Sequence, residues 1–120
     1  MKYIGIIGSR RRNTHHDYWL TEKKILSVYK LGDILVSGGC EKGGDKFAEA
    51  IAKERGFPIL IYYPDWSVGK FAGLLRNTLI ADNSSILIAC VAKDRTGGTE
   101  DTIRKFKKVN EDWKSKLFIV

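Results

Sequence analysis

Apolar side chains along this chain gather in short continuous runs, and between the runs they recur at helical spacing. Residues 3–7, 33–37 (around Ile34-Leu35-Val36), 59–63, 85–92 and 117–120 read as five strands. The runs are apolar throughout, not alternating. That pattern marks strands covered on both faces, as in a parallel sheet. Residues 15–30, 45–55, 71–81 and 99–109 read as four helices. In the second of these Phe47, Ala48, Ile51 and Ala52 share one face; Gly56 then supplies a stop, and Pro58 lies just beyond. Thr14 is placed to cap the first helix, with Asp17 three residues on. The last helix carries Glu100 and Asp101 in its first turn and Arg104, Lys105, Lys107 and Lys108 later, as the helix dipole favours. Strict strand–helix alternation predicts an α/β fold of three layers with a doubly wound, five-stranded parallel sheet. Right-handed crossovers and an expected strand order of 3-2-1-4-5 place a switch point between strands one and four. Ligands bind such sheets outside the carboxyl ends of the strands, at that crevice.

Four loops leave those ends, and each carries unusual chemistry. After strand one come Gly8, Ser9 and Arg10, followed by Arg11 and Arg12: a tight turn, a hydroxyl and guanidinium forks suited to phosphate. After strand two come Ser37, Gly38, Gly39, Cys40, then Gly43, Gly44 and Asp45, a glycine-rich approach to a helix that suits a backbone N–H cradle. Asp45 caps that helix, either alone or while also contacting a ligand. The spacing matches neither a P-loop, which needs Lys then Ser or Thr after the last glycine, nor the dinucleotide fingerprint expected after strand one. After strand three, Trp66 is either a packing aromatic or a platform for a base or sugar, and Arg76 and Asn77 interrupt an apolar helix. After strand four, Gly97, Gly98 and Thr99 open the last helix, whose N-terminus suits an anion, while Glu100 and Asp101 beside it suit ribose hydroxyls.

Composition narrows the class without choosing the ligand. The 120 residues make one domain, residues 1–120, with 43% hydrophobic and 29% charged residues, an ordinary globular balance. No apolar run reaches the roughly 20 residues that span a bilayer, and the first residues lack the apolar core of a signal peptide. The net charge of +7 favours anionic partners. Cys40 and Cys90 form no framework or zinc pattern, which suits a reduced, cytoplasmic protein. His15 and His16 have no partners for a metal site and read as an exposed pair. Tyr18, Trp19 and Tyr29 read as helix-packing residues, and residues 105–116, with Trp113, as a solvated helix end.

Gly8-Ser9-Arg10, Ser37-Gly38-Gly39 with Gly43-Gly44-Asp45, Pro64-Asp65-Trp66, Gly69 with Ala72-Gly73 and Arg76-Asn77, and Gly97-Gly98-Thr99 together resemble the SLOG superfamily, which includes the Smf/DprA DNA-processing proteins and the LOG phosphoribohydrolases. The chain is most similar to the short stand-alone members of YspA type. The resemblance implies a Rossmann-like fold and a nucleotide or nucleotide-derived ligand, such as AMP, ADP-ribose or an NAD-like molecule, in a sensing, carrying or sequestering role. It also implies a homodimer through an exposed face of the third helix. LOG enzymes cleave an N-glycosidic bond with an arginine on the third helix and a Gly-Gly-x-Gly-Thr-x-x-Glu motif. Arg76 matches the arginine, but the position three after Thr99 is Thr102, not Glu. Glu100 and Asp101 point roughly 100–200° away from Thr102 on a helix. Under the hydrolase alternative Arg76 orients phosphate and Asp45 or Glu100 is the acid. Under a second alternative, of DprA type, Arg10–Arg12 and Trp66 bind single-stranded nucleic acid.

Overall fold

The computed structural model describes residues 1–120. Eleven elements follow one another: β1 (Tyr3–Gly8), α1 (His15–Val28), β2 (Ile34–Ser37), α2 (Gly44–Arg55), β3 (Ile59–Ile61), a 3-10 turn (Trp66–Val68), α3 (Ala72–Asn83), β4 (Ile86–Cys90), α4 (Gly98–Val109), a second 3-10 turn (Trp113–Ser115) and β5 (Leu117–Ile119). All strand pairs are parallel, in the order β3-β2-β1-β4-β5. The sheet order and the three-layer Rossmann-like fold match the expectation from the apolar runs.

Successive strand residues feed opposite layers. Ile4, Ile6, Leu35 and Ile88 join Ile25 of α1 and Phe47, Ala48 and Ile51 of α2 on one face. Ile7, Val36, Leu87 and Ala89 join Ile80 of α3 and Ile103 and Phe106 of α4 on the other. Period-two geometry thus splits each apolar run between two cores. The edge strands depart from the expectation of cover on both faces: Leu60 and Ile119 are exposed. Four helices over five strands leave the sheet margins open.

Local chemistry fixes the element ends. Thr14 caps α1 in a reciprocal box: its hydroxyl accepts from the Asp17 amide at 3.1 Å, and the Asp17 carboxylate accepts from the Thr14 amide at 3.1 Å. α1 stops at Val28, before the expected residue 30. The Asp33 carboxylate accepts from the Lys30 amide at 2.8 Å and draws that residue into a turn, while Tyr29 stacks on Phe57 with ring centroids 3.8 Å apart. Trp19 does not pack inward; it is exposed and stacks on His16. Trp113, in turn, is half-buried against the α3–α4 core, with Lys107 over its ring at 4.3 Å, so residues 105–116 are not simply a solvated end. No helix is long and apolar enough to cross a membrane.

Asp33 is buried at the foot of the sheet. It also accepts from the Lys2 amide at 2.9 Å and pairs with the Lys2 ammonium. Burial alone would raise its carboxyl; the Lys2 ammonium and the two amides outweigh that and lower it. A lowered folded value means stabilisation that is present above the unfolded value of about 3.9 and lost as pH falls through the folded one. We expect Asp33→Ala, which strands two backbone amides, to cost about 2–3 kcal/mol at pH 7 in urea unfolding. The deficit relative to wild type should shrink as pH falls below the unfolded value of about 3.9.

Candidate functional site

The carboxyl ends of β1, β2 and β4 are drawn together by glycine. Gly44, the first residue of α2, lies so near the end of β1 that a Cβ there would sit 2.3 Å from the Ile7 carbonyl carbon and 2.5 Å from the Gly8 nitrogen. A Cβ on Gly8 would meet the Gly44 nitrogen at 2.7 Å. These two glycines let strand and helix backbones touch, and neither Gly43 nor Gly44 lines the crevice. Gly43 and Gly44 therefore serve packing, whereas Gly38 and Gly39 of the same connection line the cleft. Ser37 is fully buried, its hydroxyl donating to the Asp45 carbonyl at 3.1 Å.

The three consecutive arginines divide their work. Arg12 is structural: it donates to the Asp17 carboxylate at 2.7 Å and to the carbonyls of Val91 and Val120 at 2.7 and 3.1 Å. Arg11 forms a bidentate pair with Asp94 at 2.7 and 2.9 Å and donates to the Thr96 hydroxyl at 2.9 Å. Arg11 and Thr96 hold the exposed Asp94 carboxyl down at about 2. Arg10 alone stays available. Its Nε donates to Cys40 Sγ at 3.1 Å, and its Nη groups have no protein partner.

A crevice opens at the switch point between β1 and β4 in two lobes. The inner lobe, about 380 Å³, is bounded by the β1–α1, β2–α2 and β4–α4 connections and by α3, with Ile7, Ile80 and Thr102 among its walls. Gly8, Ser9, Gly97, Gly98 and Thr99, all named from the sequence as candidates, line it. The outer lobe, about 560 Å³, is lined by Gly38, Gly39, Lys42, Tyr63 and Trp66. Arg10, Arg11, Cys40 and Arg76 border both.

Arg76 reaches across from α3. It donates to the Gly38 carbonyl and, through Nε, to Asn77 Oδ1 at 3.0 Å, which leaves Nη2 unpaired. Buried Asn77 passes the contact on to the Gly98 carbonyl and the Asp101 carboxylate, each at 3.3 Å. Asp45 is the one carboxylate in the inner lobe. It is 7% exposed and accepts from the Cys40 amide at 3.1 Å. Burial pushes its carboxyl up, against the opposing pull of that amide and of Arg76. Contrary to the expectation from sequence, Asp45 does not cap α2: Gly43 is the N-cap, no side chain caps the helix, and the Asp45 carboxylate turns back to the Cys40 amide as a buried carboxyl facing the cleft.

Comparison with known proteins fits this geometry at the level of fold. No family model and no curated protein matches the chain. Among solved structures it is similar to DNA processing protein A from Helicobacter pylori, solved to show how that protein binds single-stranded DNA. The TM-score is 0.67 at 23% sequence identity, and the match covers 98% of this chain. It spans 64% of that protein.

Glu100 does not join the site. Its carboxylate is bound by Arg95 at 2.9 and 3.0 Å, outside both lobes. It is thus removed as an acid for the crevice. Asp101 is turned toward Lys105, Arg104 and Asn77. Thr102, where LOG enzymes carry Glu, faces the inner lobe with a hydroxyl only. Among the lining residues that the sequence did not bring forward are Ile7, Ile80 and Tyr63. Tyr63 could have been found, since it ends a strand run one loop from Trp66; nothing local marks Ile80 as anything but core.

Proposed function

We propose that the chain binds a nucleotide or nucleotide-derived ligand, such as AMP, ADP-ribose or an NAD-like molecule, with its phosphate between Arg10 and Arg76. The observation that carries this reading is the pair of guanidinium groups with unpaired Nη donors bordering one crevice at the switch point. The opening of α4 at Gly97–Thr99 adds backbone N–H groups on the opposite wall. Sensing, carrying or sequestering such a ligand needs nothing further from the site. Two free thiols, Cys40 and Cys90, agree with a cytoplasmic setting, and the loop motifs agree with a stand-alone YspA-type member.

Thermal unfolding with AMP, ADP-ribose and NAD tests the reading. A ligand at 100 times its dissociation constant stabilises by about 2.7 kcal/mol. Arg10→Ala should reduce that shift while leaving the melting of the free protein nearly unchanged, because Arg10 is exposed. Unshifted melting with every nucleotide would exclude it. The same mixtures, assayed for free base, test the hydrolase alternative, in which Asp45 is the acid and Arg76 the phosphate anchor.

A second reading, single-stranded DNA, is favoured by two exposed aromatics, Tyr63 and Trp66, beside Arg10 and Lys42 in the outer lobe. The protein with the similar fold is one that binds such DNA. A steep fall of oligonucleotide affinity with salt would support it. The homodimer that the resemblance implies would use α3, whose Leu74, Leu75 and Leu79 are exposed. Leu75→Glu with Leu79→Glu should give a monomer by light scattering if wild type is a dimer; a monomeric wild type would remove the dimer.

A further inference from the structure

The two lobes say more than that a nucleotide binds. Each is by itself within the roughly 300–1,000 Å³ of small-molecule pockets, at about 380 and 560 Å³. Their linings differ in kind. The outer lobe has the flat groups, Tyr63 at 66% and Trp66 at 63% exposure, with the Tyr63 ring against Gly39. A Cβ on Gly39 would lie 2.5 Å from that ring, so the missing side chain is what lets the ring lie there. The inner lobe has no aromatic side chain. It offers Asp45, Asn77, Thr99 and Thr102, groups that hydrogen-bond to hydroxyls. Between the lobes stand Arg10 and Arg76, while Arg11 at the same border is already engaged by Asp94.

Resting on the nucleotide reading, we infer that the ligand has two units joined through phosphate: a nucleoside whose base lies on the Trp66–Tyr63 platform, a phosphate linkage at the arginine neck, and a second, hydroxyl-rich sugar in the inner lobe. A mononucleotide would fill one lobe and leave the other to water. The chemical class is that of a nucleoside diphosphate joined to a sugar.

Titration calorimetry of the full chain with AMP, ribose 5-phosphate and ADP-ribose tests this. ADP-ribose should bind at least 100-fold tighter than either fragment. Trp66→Ala should weaken AMP and ADP-ribose by about tenfold and leave ribose 5-phosphate unchanged. Trp66 is exposed, so this variant should fold. AMP binding as tightly as ADP-ribose would overturn the two-unit ligand and leave the nucleotide reading intact. So would equal weakening of all three by Trp66→Ala. An oligodeoxynucleotide binding more tightly than ADP-ribose would replace it with a strand. Silence from all three small molecules would end the nucleotide reading, and this inference with it.

Discussion

Gly44→Ala should destabilise the fold by about 3 kcal/mol or more, a large share of the 5–15 kcal/mol that holds a domain together. A single methyl at this position meets backbone on every side: the Ile7 carbonyl carbon at 2.3 Å, its oxygen at 2.4 Å and the Gly8 nitrogen at 2.5 Å. Backbone cannot rotate away as a flexible side chain would. Either α2 lifts from β1 or the β1 turn shifts, and both contacts lie under the crevice. Alanine's helix propensity favours the substitution by only about 1 kcal/mol, so the clash dominates. Gly56→Ala is the matched control. Gly56 has φ of 70° but open space around it, so alanine there should cost about 1–2 kcal/mol from the left-handed backbone alone. Urea denaturation reads both. A Gly44→Ala variant as mild as Gly56→Ala would refute the close approach of helix and strand.

Arg76→Ala should weaken AMP binding about 100-fold, since hydrogen bonds from a charged group contribute about 1.5–3 kcal/mol each. Arg76→Lys should recover only part of this, because an ammonium lacks the planar fork that engages Gly38, Asn77 and a phosphate at once. A second effect distinguishes Arg76 from an ordinary anchor. It is the cation that holds down the buried Asp45 carboxyl. Without it that carboxyl rises further. A carboxyl whose folded value exceeds its unfolded one destabilises when ionised, above about 3.9, and the penalty is relieved as pH falls through the raised folded value. The stability lost in Arg76→Ala should therefore be greatest near neutral pH and smaller near pH 4–5. Asp45→Asn should restore part of it at pH 7. Equal losses at both pH values would show that Arg76 does not support Asp45.

The fold was legible because five apolar runs and four helical stretches each carried the same message. Alternation of strand and helix left few topologies, and the helix caps at Thr14 and Gly56 stood in plain view. The site was legible only as a neighbourhood. A glycine serves equally to cradle a ligand and to let two backbones meet; Gly43 and Gly44 look like the first in sequence and act as the second. Likewise three adjacent arginines look alike. Their division follows from partners far along the chain, Asp94 for Arg11 and Val91 and Val120 for Arg12. Glu100 was drawn away by Arg95, a residue with φ of 55° in a loop whose path no local pattern announces.

The position of β1 at the centre of the sheet has a consequence for how the molecule comes to exist. Ile4 lies beside Leu35 on one side and beside Ile86 on the other. As the nascent chain emerges, β1, β2 and β3 can assemble early, but the second edge of β1 waits for β4. Until then Ile6 and Ile7 sit on an unpaired, strongly apolar margin, where association with another chain competes with folding. Closing that gap requires a long-range parallel pairing, a slow kind of step. Refolding at high protein concentration should therefore be limited by aggregation of a half-sheet, and a binder of exposed strands present during synthesis should raise the yield of native protein.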